Sequence, residues 1–159
     1  MADAVAVEEK TLQVVTFSID DEWLGFPVVD VVRVEPVTRF PLTRMPRVPD
    51  VVEGIINYRG EIFPLVNGRR LLGFEGRQSE GDASVIMVSS VEERMGLVVD
   101  RVPEVRMLPL AKMEDFARRK GLRIDMEIVK CLCRDGDRLV IVLDAGALFR
   151  QVDVTKQSN

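Results

Sequence analysis

Histidine is missing from this chain of 159 residues. Its absence excludes Ser-His-Asp and Cys-His nucleophilic catalysis, histidine-ligated zinc, and any phosphohistidine relay carried by the chain itself. Carboxylates, lysines, cysteines and Tyr58 remain as acid–base groups, but nothing in their spacing selects a catalytic pair. There are two cysteines, too few for a disulfide framework, which points to a cytoplasmic address. Cys131 and Cys133 fall two apart in an expected strand, so they share a face. No histidine or second cysteine pair completes a metal site, and both are read as buried structural thiols. No apolar run approaches the roughly 20 residues that cross a bilayer. The start, MADAVAVEEK, lacks the basic and then apolar pattern of a secretory leader. With one Trp, one Tyr and a net charge of −4, the chain does not advertise the basic, aromatic face of a small-barrel nucleic-acid binder. The glycines of GFEGR are followed by neither Lys-Ser/Thr nor a long helix, so no phosphate loop is present. The expectation is a protein that is not an enzyme, with no catalytic residues, cofactor or metal.

What the chain does have is valine, 47% apolar residues and frequent Gly and Pro punctuation. β-branched side chains suit a pleated surface, and short apolar runs at even spacing favour small barrels or a sandwich. QVVTFSI and WLGFPV flank the turn Asp20-Asp21-Glu22, and VVDVVRVEPV follows as a third extended segment. TRFPLTRMPRVPD, with prolines at 41, 46 and 49, is an extended connector. SVIMVSS, RMGLVVDRV and EVRMLPL continue the rhythm, and IVKCLCRDGDRLVIVLD is a hairpin about Asp135-Gly136. GRRLLGF, MEDFARRK (closed by Gly121) and AGALFR are the short helical candidates. Residues 1–10 and 152–159 read as tails around one unit at 11–151. The polar loop EGRQSEGD, near 75–83, is the division between its two lobes.

The stretch GIINYRGEIFPLVNG, from Gly54 to Gly68, places a permanent cation at the tip of an apolar hairpin. Strands apolar on both faces need cover on both faces, so this pair should lie between two layers. Arg59 is left at the turn, where its planar fork suits a partner's carboxylate or carbonyls.

These residues carry a resemblance. GIINYRG with EIFPLV, VVTFSIDDEWLGFPVVDVVRV, MPRVPDVVEG, MGLVVDRVPEV and DRLVIVLDAGALF occur in the order seen in the CheW-like coupling proteins of bacterial chemotaxis. The resemblance spans about residues 13–150 and implies two five-stranded SH3-like β-barrels packed across a shared apolar layer. It also implies a non-enzymatic adaptor, recruited to receptor arrays at the inner face of the membrane without inserting into it. There it would bridge the cytoplasmic tip of a chemoreceptor to the regulatory domain of a CheA-type histidine kinase. By the same resemblance Arg59 is the hairpin arginine associated with coupling, and Gly54 opens that segment where a backbone approaches a partner. Val31 and Val34 lie near the receptor-facing groove, and Ile55, Ile56, Phe63 and Leu65 line core or groove. Arg33 stands where the family often has a glutamate, and Asn67-Gly68 replaces Asp-Leu. The glycine usual before the last hairpin is missing around Val129-Lys130. These departures leave open a second reading, a member that binds receptor or another scaffold without engaging a kinase.

Overall fold

The computed structural model describes residues 10–41, 43–44, 46–76, 83–100, 103–112 and 124–157, with side chains as far as residue 152. Ten strands occupy them: β1 Thr11–Ile19, β2 Glu22–Pro27, β3 Val31–Pro36, β4 Val52–Tyr58, β5 Glu61–Asn67, β6 Ser84–Ser89, β7 Arg94–Val99, β8 Glu104–Pro109, β9 Val129–Asp135 and β10 Arg138–Leu143. Two α-helices are described, α1 Gly68–Leu72 and α2 Ala145–Gln157, with single 3₁₀ turns at Val28–Asp30, Val37–Arg39 and Met126–Ile128. The strands form two five-stranded sheets, ordered β8-β1-β2-β10-β9 and β3-β6-β7-β5-β4. Each has one parallel pair at its heart, β2 with β10 and β5 with β7, between antiparallel neighbours. The first sheet closes on itself where Leu110 bridges Cys133 and Ala111 N–H donates to the Leu132 carbonyl at 2.8 Å.

Side chains alternate across a strand, and the burial divides accordingly. Val140 and Val142 of β10 join Val14, Leu108 and Cys133 inside the first barrel. Val85 and Met87 of β6 join Ile56, Phe63, Leu65 and Val98 inside the second. The intervening residues, Ile141 and Leu143 of β10 and Ile86 and Val88 of β6, turn instead to one layer that Phe17, Leu24, Phe26 and Leu97 also build. Two barrel interiors and a shared slab between them account for why these strands are apolar on both faces, as the hairpin composition predicts.

The division expected at 75–83 is corrected by the connectivity. β6 and β7 follow that loop yet lie in one sheet with β3, β4 and β5, so the chain changes sheets between β2 and β3 and again between β7 and β8. A polar loop marks a surface excursion and says nothing of which sheet receives the next strand. The closing helix also differs from its pattern, because α2 continues past Arg150 to Gln157. Asp144 starts it by accepting from the Ala147 N–H at 3.0 Å, and Val152 packs against the shared layer beyond AGALFR. The helical candidate MEDFARRK and Gly121 lie outside the described residues.

A buried arginine sits at the junction. Arg69 of α1 is 8% exposed, and Nη2 lies 2.9 Å from Asp100 Oδ2 just beyond β7. The same guanidinium reaches Asp20 in the β1–β2 turn through both Nη atoms and donates to the Glu75 carbonyl at 2.6 Å. Asp20 belongs to the first sheet's hairpin and Arg69 to the second lobe, so one cation ties the two. The hydrogen bond to Asp20, opposed by burial and aided by Asp100, raises the pKa of Arg69 further.

Candidate partner-binding site

The β4–β5 hairpin pairs Tyr58 with Glu61, so Arg59 and Gly60 are its two turn residues. Both have positive φ, 51° and 81°, as the right-handed twist of a two-residue hairpin demands. Gly60 adopts this freely, whereas Arg59 holds it under strain. The Gly60 N–H donates to Asn57 Oδ1 at 3.0 Å and fixes the turn. Arg59 is exposed, its guanidinium carbon 5.2 Å from the Tyr58 ring centroid. The cation is therefore presented at the tip and steadied by the ring beneath it.

Tyr58, the chain's one tyrosine, is the centre of this surface, a role that spacing alone does not reveal. Phe40 meets it edge-on at 6.2 Å and Phe63 at 6.3 Å. Arg33 of β3 interacts with it from the other edge of the same sheet, so closure of the second barrel brings Arg33 and Arg59 to one aromatic side chain. Arg33 Nε also donates to Glu35 Oε1 at 2.7 Å. That bond, aided by electrostatic interaction with Tyr58 and Glu35, raises the pKa of Arg33. Glu35 is 8% exposed, so the charge that looks reversed against the family pattern is balanced within the chain.

Val31 and Val34 take a different direction. A register shift between Val31 and Arg33 interrupts the β3–β6 ladder, and the extra residue puts positions three apart on one side. Both valines are partly exposed and pack against the shared interlobe layer. Val32 is 47% and Val29 90% exposed nearby in the chain. Gly54 is buried opposite Leu65, beside a second register shift in β4. Next to it Ile55 exchanges backbone hydrogen bonds with Thr43 at 2.9 and 3.2 Å, so the connector covers part of that edge. Ile56, Phe63 and Leu65 are core residues, and Ile55 is partly exposed. The five sequence candidates thus fall into two exposed groups, Arg33 with Arg59 and Val31 with Val34, and one buried glycine.

Asn67-Gly68 has local work. Asn67 Oδ1 accepts from the Arg70 N–H at 3.1 Å to cap α1, and its Nδ2 donates to Glu53 at 2.9 Å. A Cβ at Gly68 would stand 2.4 Å from the Val98 carbonyl oxygen, so only glycine lets α1 lie against β7. Of the two thiols, Cys133 is buried as expected, but Cys131 is partly exposed. No grouping of three or more His, Cys, Asp or Glu suited to a metal lies among the described residues.

Residues 13–153 match the CheW-like domain family. The chain is 30% identical over 159 residues to the chemotaxis protein CheW of Thermotoga maritima, covering 97% of this chain and 95% of that one. It is 26% identical over 143 residues to the CheW of Helicobacter pylori, covering 90% and 84%. Among solved structures, the crystal structure of the scaffolding protein TtCheW from Thermoanaerobacter tengcongensis superposes with a TM-score of 0.73 at 28% identity, covering 88% of this chain and 93% of that one.

Proposed function

The chain belongs to the CheW-like domain family, whose members are non-enzymatic scaffold proteins of chemotaxis, and on that premise we propose that it couples a methyl-accepting chemotaxis-type receptor to a CheA-type histidine kinase. The observation that carries this reading is the placement of Arg59. A strained backbone, an Asn57 contact and the Tyr58 ring hold a permanent cation at an exposed tip. A folded domain that only needed a soluble turn would place Asn or Gly there. Val31 and Val34, at the open rim of the interlobe layer, add apolar surface of the kind that the core of an interface uses. Receptor tip at the valine rim and kinase regulatory domain within reach of the Arg59 tip is the arrangement proposed. Gly54, being buried, serves it by shaping β4. We further place the unit at 11–151, working at receptor arrays on the inner membrane face. No helix among the described residues is long and apolar enough to cross a membrane.

The receptor-only reading rests chiefly on Arg33 and Asn67-Gly68, beside the glycine missing around Val129-Lys130. Arg33 is paired with Glu35, and Asn67-Gly68 caps and seats α1, so neither change strips a charge from the exposed tip. This favours coupling. The test is a titration of the purified chain against a CheA regulatory domain and, separately, a receptor-tip fragment, with wild type and Arg59→Ala. Coupling requires both to bind and at least one to weaken tenfold or more in the variant. Receptor binding without kinase binding would restore the second reading, and binding to neither would end the proposal.

A further inference from the structure

One Asn-Gly pair occurs in the chain, at Asn67-Gly68, and its chemistry lies outside the proposed coupling surface. Asparagine before glycine is the pair most prone to deamidate, because no side chain keeps the glycine nitrogen from the asparagine Cγ. Here the fold withholds each part of that reaction. The Asn67 amide is half-buried and held at both ends. Its Nδ2 donates to Glu53 Oε1 at 2.9 Å, and its Oδ1 accepts from the Arg70 N–H at 3.1 Å. The backbone is equally engaged, since the Asn67 N–H donates to the Val51 carbonyl at 2.7 Å and Asn67 pairs with Val98 of β7. Gly68 is buried so close to β7 that a Cβ would stand 2.4 Å from the Val98 carbonyl oxygen. Turning the Gly68 nitrogen onto the Asn67 amide therefore breaks both side-chain bonds and lifts the start of α1 from β7. The Glu53 carboxylate opposes it further, because the attacking nitrogen sheds its proton and becomes anionic beside a negative charge.

We propose that Asn67-Gly68 is a latent modification site, inert while α1 is seated and deamidated when α1 leaves β7, whose isoaspartyl product keeps the two lobes from locking again. In the first step the Gly68 nitrogen attacks Asn67 Cγ and a C–N bond forms to close a succinimide. The side-chain amide nitrogen leaves as ammonia, carrying the Gly68 proton. In the second step water adds to one of the two ring carbonyls and its C–N bond breaks. Attack at Cγ leaves aspartate, attack at the backbone carbonyl leaves isoaspartate, and nothing is oxidised or reduced. Aspartate would face the Glu53 carboxylate where the amide had donated to it. Isoaspartate routes the main chain through the side chain and adds a methylene between β5 and α1. The close approach of Gly68 to Val98 leaves no room for that extra length. Arg69, the next residue, is buried against Asp100 and reaches Asp20 of the other lobe, so a displaced α1 draws that link apart. Neither product returns to asparagine.

The full chain incubated at pH 8, folded in buffer or unfolded in guanidinium chloride, is the test. Trypsin cuts after Arg59 and Arg69 and releases the peptide Gly60–Arg69, which carries the pair. Mass spectrometry then reads the side-chain NH2 replaced by OH. The folded chain should deamidate at least about tenfold more slowly than the unfolded one, because reaction waits on the loss of two side-chain hydrogen bonds, one of them to a charged group. Glu53→Ala should speed the folded reaction about tenfold, and Glu53→Gln, which still offers an acceptor oxygen, should speed it less. Chain aged while unfolded and then refolded should unfold at lower urea in its isoaspartyl fraction than in its unmodified fraction. Equal rates folded and unfolded, no acceleration in Glu53→Ala, or an isoaspartyl fraction as stable as the unmodified one would overturn the proposal. If Glu53→Ala fails to fold, the wild-type rates and the refolded fractions decide.

Discussion

Replacing Arg69 with methionine keeps an unbranched, largely apolar stem and removes the guanidinium with its charge. Two carboxylates lose their partner, but not equally. The Asp20 side chain is 53% exposed, so water takes over and its share is small, as for surface pairs generally. Asp100 is 7% exposed and would be left as an uncompensated charge, a situation that typically costs about 3–5 kcal/mol. For a chain of this size that lowers Tm by roughly 10 °C. Urea unfolding followed by circular dichroism measures it. Arg69→Met with Asp100→Leu removes the stranded charge as well, and should recover at least about 1 kcal/mol relative to Arg69→Met alone. A loss below about 1 kcal/mol for the single variant, or strictly additive losses in the double, would refute the reading of Arg69 as the buried link between the lobes.

Gly68→Ala should destabilise by about 1–3 kcal/mol, because its Cβ meets the Val98 carbonyl oxygen rather than a yielding side chain; an unchanged urea midpoint would contradict the close approach. Arg59→Gly relieves a strained φ worth about 1 kcal/mol and gives up a cation–π contact worth about 0.5 kcal/mol, so thermal melting should show no loss of stability while partner binding falls. Alkylation of Cys131 by iodoacetamide should climb through a midpoint near pH 7, since its pKa is lowered to about 7 and the reactive thiolate persists to lower pH. Cys133→Ala removes the neighbouring thiol that contributes most to that lowering, and the midpoint should move up toward that of an ordinary cysteine.

Hairpins were legible because their turns are local. Asp20-Asp21, Arg59-Gly60 and Gly136-Asp137 each sit between strands whose apolar runs announce them, the last one residue on from the expected Asp135-Gly136 because Asp135 pairs with Arg138, and cover on both faces followed from the absence of alternation. Sheet membership was not legible, because β1 and β2 pair with β8 and β10 across the whole intervening lobe, and periodicity carries no such range. The site was readable in part. Arg59 could be placed at an exposed tip from the turn alone, whereas Val31 and Val34 share a side through a register shift that a period of two does not foresee. Arg33 looked like a free rim charge until the fold put Glu35 and Tyr58 against it. Arg69 escaped notice because its partners lie 31 and 49 residues away, and a lone Arg-Arg in a short helix has no pattern to distinguish it.

Coupling requires both partners on one molecule at once, and binary affinities do not establish that. The decisive measurement is sedimentation of the chain with a receptor-tip fragment held at saturation while a CheA regulatory domain is titrated in. A ternary species should appear, with kinase affinity retained within about threefold of that for the chain alone and reduced by Arg59→Ala. Displacement of one partner by the other, at full occupancy of a shared surface, would contradict coupling by this chain.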